Sequence, residues 1–109
     1  MNFISDEEVE DALKYLASSA AEFGKLRGNI KFLDLRRKVV RGQAFLESGK
    51  QTAAAKTADA ESCANYVAIL EEIKDAETDY ATAQAYITAA TMRIDVWRSL
   101  NSRRNKGHL

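Results

Sequence analysis

The chain has no proline, one cysteine, one histidine and only five glycines in 109 residues. Each shortage excludes something. Without proline, every backbone N–H can donate and no pyrrolidine ring crowds a preceding turn, so no position forbids an α-helix. Cys63 stands alone, which rules out an intramolecular disulfide and suits a reducing compartment. The single histidine, His108, is next to last and is poorly placed for a structured triad or metal site. No apolar run approaches the ~20 residues needed to cross a bilayer. The acidic start, Met1 to Asp11, lacks the apolar core of a signal peptide. Net charge is zero, so bulk charge selects neither nucleic acid nor membrane as partner. The expectation is a cytoplasmic protein with no membrane association, cofactor or small-molecule substrate.

Against these shortages, 46% of the residues are hydrophobic and many of those are alanine, the best helix former. The chain therefore reads as all-α, a single domain over 1–109. The first helix begins at a capping box, Ser5 with Glu8, and Asp6 and Glu7 sit where the helix dipole favours negative charge. Val9, Leu13, Leu16, Ala20 and Phe23 continue it as a heptad seam. Beyond Phe23 the same register meets Arg27, Asp34 and Arg37. The apolar face shifts instead to Leu26, Ile30, Leu33, Val40 and Ala44, with Phe32, Leu35, Val39 and Leu46 alongside. Such a shift predicts a stammer or kink near Gly28-Asn29. The helix is expected over about 6–48, with Gly49 as a C-cap.

Small polar residues over about 49–57 read as a loop, with Thr57 as the next N-cap. The second helix, about 58–102, carries the most regular pattern in the chain. Tyr66, Ile69, Ile73, Ala76, Tyr80, Ala83, Ile87, Ala90, Ile94 and Trp97 alternate at spacings of three and four. A frayed basic tail is expected over 103–109. Two long helices joined by a short loop make an antiparallel, coiled-coil-like hairpin. A helix pair buries only a narrow seam, and the apolar face late in the first helix is wider than one partner helix needs. Homodimerisation into a four-helix bundle is therefore expected.

Charge is segregated along the chain. Residues 1–24 sum to −5, 25–41 to +6, 56–91 to −5 and 92–109 to +4. Lys25, Arg27, Lys31, Arg36, Arg37, Lys38 and Arg41 form a basic stretch that, taken alone, suggests a nucleic-acid-binding stripe. Folding the chain back near residue 53 sets that stretch against Glu71, Glu72, Asp75, Glu77 and Asp79. It also sets the acidic start against Arg93, Arg98, Arg103 and Arg104. Complementary blocks of this kind fix antiparallel orientation, so the central block reads as structural. Arg103, Arg104 and Lys106 extend beyond the pairing and suit contact with nucleic acid or a partner.

The pattern of chemistry-bearing residues argues against an enzyme. Cys63 has no base beside it in sequence and reads as a packing residue. Glu71-Glu72-Ile73-Lys74-Asp75 approximates half of the paired carboxylate motif by which all-helical nucleotide pyrophosphatases hold magnesium. After Asp79 the sole acid is Asp95, so the second half is missing. Glu-x-x-His, the di-iron signature of helical bundles, does not occur. Gly24 and Gly28 lack the Lys-Ser/Thr that completes a phosphate loop. Tyr66, Tyr80 and Trp97 share the seam, so core packing explains these aromatics better than base stacking does. A fully buried Trp97 would cost about 3–5 kcal/mol on replacement by alanine.

One segment carries a likeness. Ala89-Ala90-Thr91-Met92-Arg93-Ile94-Asp95-Val96-Trp97-Arg98-Ser99, followed by Asn101 and Arg103-Arg104, resembles small helical early-region proteins of tailed bacteriophages. Their last helix carries Ala-x-x-x-Ile-(Asp/Glu)-x-Trp-Arg-Ser before Asn and Arg. Leu35-Arg36-Arg37-Lys38-Val39 matches their basic first helix, and Tyr66 matches a tyrosine early in the second. The resemblance implies a phage protein encoded among recombination and replication genes, and it brings no catalytic residues. Two functions are expected. The first is a non-catalytic accessory in DNA recombination or replication, contacting an unknown protein partner and DNA through Arg98, Asn101, Arg103, Arg104 and Lys106. The second is an adaptor or inhibitor of a host factor that contacts it through Phe32, Leu35 and Val39 and binds no nucleic acid.

Overall fold

The computed structural model describes residues 4–107, with side chains described through residue 104. The described residues form three helices and no strand: α1 (Asp6–Glu47), α2 (Ala53–Ser62) and α3 (Ala64–Gly107). The fold is an all-α antiparallel hairpin. Its packing divides into two units, one of Met1–Gly24 with Ala81–Leu109, the other of Lys25–Tyr80. The long helices α1 and α3 contribute to both.

In the first unit, Val9, Ala12, Ala90 and Ile94 form the buried centre, with Ile4, Tyr15, Leu16 and Trp97 packed around it. The capping box forms as expected. Ser5 Oγ accepts from the Glu8 N–H at 3.1 Å, and the Ser5 N–H donates to Glu8 Oε2 at 3.3 Å. The Trp97 indole Nε1 donates to Asp6 Oδ1 at 2.8 Å, tying α3 to the first turn of α1. Tyr15 meets Tyr86 edge-on, with ring centroids 6.5 Å apart.

In the second unit, Leu33, Ala60, Tyr66, Ile69 and Ala76 are buried. Two salt bridges cross between helices. Arg36 reaches Glu72 at 3.6 Å, and Arg41 reaches Glu61 at 2.8 Å. Within each unit the paired residues rise in number along α1 as they fall along α3, which is the antiparallel register expected from a fold about residue 53.

The seam predicted for the second helix is present along α3. All ten of its residues are buried or half-buried, and Asn101 extends the same line. The seam of α1 differs from expectation. Leu13 and Ala20 are exposed, whereas Ala12 is buried and Ser19 half-buried. The packed face runs Val9, Ala12, Leu16, Ser19, Phe23, Leu26, Ile30, Leu33, Arg37, Val40 and Ala44 at unbroken three-and-four spacing. No register shift exists, and α1 is continuous through Gly28-Asn29 rather than interrupted there. Ala12 is enclosed with Val9, Ala90 and Ile94, where a longer side chain would overpack the seam.

The connection is shorter than the expected loop of 49–57. Only residues 48–52 are non-helical, and Thr52, not Thr57, is the N-cap, its Oγ1 accepting from the Ala55 N–H at 3.1 Å. Gly49 does not take the left-handed conformation of a glycine C-cap, since no described glycine has positive φ. Ser48 closes α1 instead. Its N–H donates to the Phe45 carbonyl, and its hydroxyl accepts from the Lys50 N–H and donates to Asp59 Oδ2 at 2.7 Å. The helix expected from about 58 is divided at Cys63, whose backbone is extended. Ser62 Oγ donates to the Asp59 carbonyl at 3.1 Å, a local bond that competes with continuing the helix. At the other end α3 is helical to Gly107, so residues 103–107 belong to the helix rather than to a tail.

A candidate docking surface on the first helix

The basic stretch is built first by intrahelical geometry. Arg37 occupies a seam position on α1, where an unpaired guanidinium would be costly. Asp34, one turn back, accepts from its Nη2 at 2.9 Å and its Nε at 3.2 Å, and the Tyr66 hydroxyl of α3 accepts from Nη1 at 3.3 Å. The hydrogen bond to Tyr66, then that to Asp34, raises the Arg37 pKa above its ordinary value. The hydrogen bond from Arg37 lowers that of Asp34, with Lys38 at 3.6 Å adding to it. Four of the seven bases thus have acidic partners: Arg36, Arg37, Lys38 and Arg41. Lys25, Arg27 and Lys31 are exposed and form no ion pair with a described residue.

The residues singled out as an apolar contact come together. Phe32, Leu35 and Val39 are 60%, 62% and 58% exposed, and Leu46 on the same line is 81% exposed. With Gly28 and Gly42 they run 28, 32, 35, 39, 42 and 46, which is heptad spacing. A Cβ added at either glycine would meet nothing within 4 Å. At 100° per residue this stripe lies roughly 160° around α1 from the packed seam. The wide apolar face read from the sequence is therefore two separate stripes on nearly opposite sides. One packs on α3 and the other faces outward. Beside the outer stripe, Lys38, Arg41, Gly42, Phe45 and Thr57 line a shallow cleft of about 310 Å³. Lys56 of α2 lies 5.7 Å from the Phe45 ring centroid there.

The C-terminal residues do not assemble as one face. Asn101 is half-buried on the seam line, in register with Ile94 and Trp97. Arg98 and Arg104 flank it by roughly 60° on either side, and Arg103 lies roughly 160° away. All three arginines are exposed and form no ion pair with a described residue, and the Lys106 side chain lies outside the described residues. The pairing expected between the acidic start and these bases does not form among the described residues. Asp6 accepts from Trp97, Glu8 from Ser5, and Glu10 pairs with Lys14 at 3.5 Å.

The remaining chemistry-bearing residues are dispersed. Cys63 is half-buried in a recess of about 260 Å³ lined also by Asp59, Glu47 and Asn65. Among the described residues no group of three or more His, Cys, Asp or Glu is placed to hold a metal ion. No described helix is long and apolar enough to cross a membrane. No family model, curated protein or solved structure matches the chain.

Proposed function

We propose that this chain is a non-catalytic docking protein that uses one face of α1 to hold its own hairpin and the opposite face to bind another protein. The observation that carries this reading is the exposed heptad stripe of Phe32, Leu35, Val39 and Leu46. Large apolar side chains aligned over about four turns at the surface are the usual mark of a helix-binding groove or zipper face. A bacteriophage accessory role in recombination or replication is supported by the segment from Ala89 to Arg104, and a host-cell cytoplasmic setting follows from it. The single histidine, next to last in the sequence, and the missing second carboxylate pair support the absence of catalysis.

A second reading, contact with nucleic acid through Arg98, Arg103 and Arg104, is favoured by their exposure and by the lack of an acidic partner among the described residues. Two variants separate the readings, Phe32→Ser/Leu35→Ser/Val39→Ser and Arg98→Glu/Arg103→Glu/Arg104→Glu. Immobilised proteins are exposed to the same extract of infected cells, and labelled single- and double-stranded DNA is titrated across a salt series. Protein docking predicts retained polypeptides that vanish with the serine variant and persist with the glutamate variant. DNA binding that weakens with salt and disappears in the glutamate variant establishes the second reading instead.

A further inference from the structure

The partner of the outer stripe is specified by the charges along its edges. In the heptad where 28, 35 and 42 are d positions and 32, 39 and 46 are a positions, the flanking e and g positions are Asn29, Lys31, Arg36, Lys38, Gln43 and Phe45. None is acidic. Asp34 is the sole acid between residues 25 and 46, and it is held by Arg37 and Lys38. Lys31 has no described ionic partner. Arg36 and Lys38 are held only by exposed 3.6 Å pairs, which a better-placed carboxylate displaces easily. Edge charges of one sign set partner choice in helical zippers. Resting on the docking reading above, we infer that the outer face of α1 binds an acidic amphipathic helix of another protein, with Leu- or Ile-type residues on its stripe and Glu or Asp at both edges.

A second copy of this chain is the competing occupant, and two observations disfavour it. In parallel self-pairing Lys31 of one chain meets Arg36 of the other, and antiparallel pairing also brings the basic edges together. A four-helix bundle further needs each helix to present apolar surface to two neighbouring helices. Here the two stripes lie roughly 160° apart, which stacks helices in a row. An acidic helix meets neither difficulty. The cleft beside Gly42, lined by Lys38, Arg41 and Phe45, gives such a helix a place for a carboxylate at the end of the stripe.

The test uses the full chain and two labelled three-heptad peptides with leucine at a and d. One carries Glu at every e and g position and the other Lys. Fluorescence anisotropy is read at low and high salt, with sedimentation equilibrium of the chain alone. The acidic peptide should bind about tenfold more tightly at low salt, with the ratio shrinking as salt screens the edges. Lys31→Glu/Lys38→Glu, shown by circular dichroism to be folded, should reverse the preference. Equal binding of both peptides, abolished by Phe32→Ser/Leu35→Ser, would overturn the acidic partner while leaving docking intact. A micromolar dimer that becomes monomeric in the same serine variant would replace the acidic helix with a second copy. Failure of both peptides to bind a monomeric chain would overturn the inference and the docking reading together.

Discussion

At Trp97 the indole does two jobs, and both limit how far it is buried. The ring packs on Val9, Ala12, Ala90 and Ile94 while its N–H reaches Asp6 at the first turn of α1. Because the side chain is only half-buried, the 3–5 kcal/mol expected for a fully enclosed tryptophan is too high. Trp97→Ala should cost about 2–3 kcal/mol, and Trp97→Phe, which keeps the ring and loses the hydrogen bond, about 1 kcal/mol. Urea denaturation of the three proteins checks the order. Asp34 offers a test in pH. The Arg37 guanidinium holds its pKa below the ordinary value of 3.8, so the pair stabilises the fold above that value and loses its effect as pH falls through the lower folded-state value. The difference in melting temperature between wild type and Asp34→Asn should be steady from about pH 7 to 5 and close below about pH 4. At this scale the capping box was legible because its residue types and spacing are nearly self-sufficient. Arg37 was not. A charged residue in a seam is read as an interruption unless Asp34 and Tyr66 are known to surround it.

The elements divide in the same way. The seam of α3 was legible because it consists of large apolar residues at positions that really pack. The seam of α1 departs from the one hydrophobicity selects, Leu13 over Ala12 and Ala20 over Ser19, because Ala12 is enclosed with Val9, Ala90 and Ile94, and Ser19 is the next residue in that register. That single substitution of register produced the expected shift and kink at Gly28. Ala12→Leu should therefore destabilise by about 1–3 kcal/mol through overpacking, although it raises the apolarity of the helix. Gly28→Ala, at a position with open space and ordinary φ, should stabilise by about 0.5–1 kcal/mol. Loss of stability there would mean that α1 does bend at Gly28. The break at Cys63 left little trace in sequence, since neither glycine nor proline marks it. Beside it are the local bond of Ser62 and the tie between Ser48 and Asp59, eleven residues apart across the connection, and neither has a sequence signature of its own.

For the whole molecule, the charge blocks were only partly informative. They gave the antiparallel direction, which the Arg36–Glu72 and Arg41–Glu61 bridges bear out in the second unit. They overstated the ionic contact at the other end, where a hydrogen bond from Trp97 takes its place. The candidate surface was visible as residue types and not as a separate face, because a stripe's direction depends on which register the neighbouring seam adopts. Hydroxyl-radical footprinting of the chain, alone and with the acidic peptide, distinguishes an apolar stripe that holds the fold from one that receives a partner. Phe32, Leu35 and Leu46 should react in the free chain and be protected in the complex, while Leu26 and Leu33 should be protected in both. Protection of Phe32 and Leu35 in the free chain, or their full reactivity in the complex, would contradict that division.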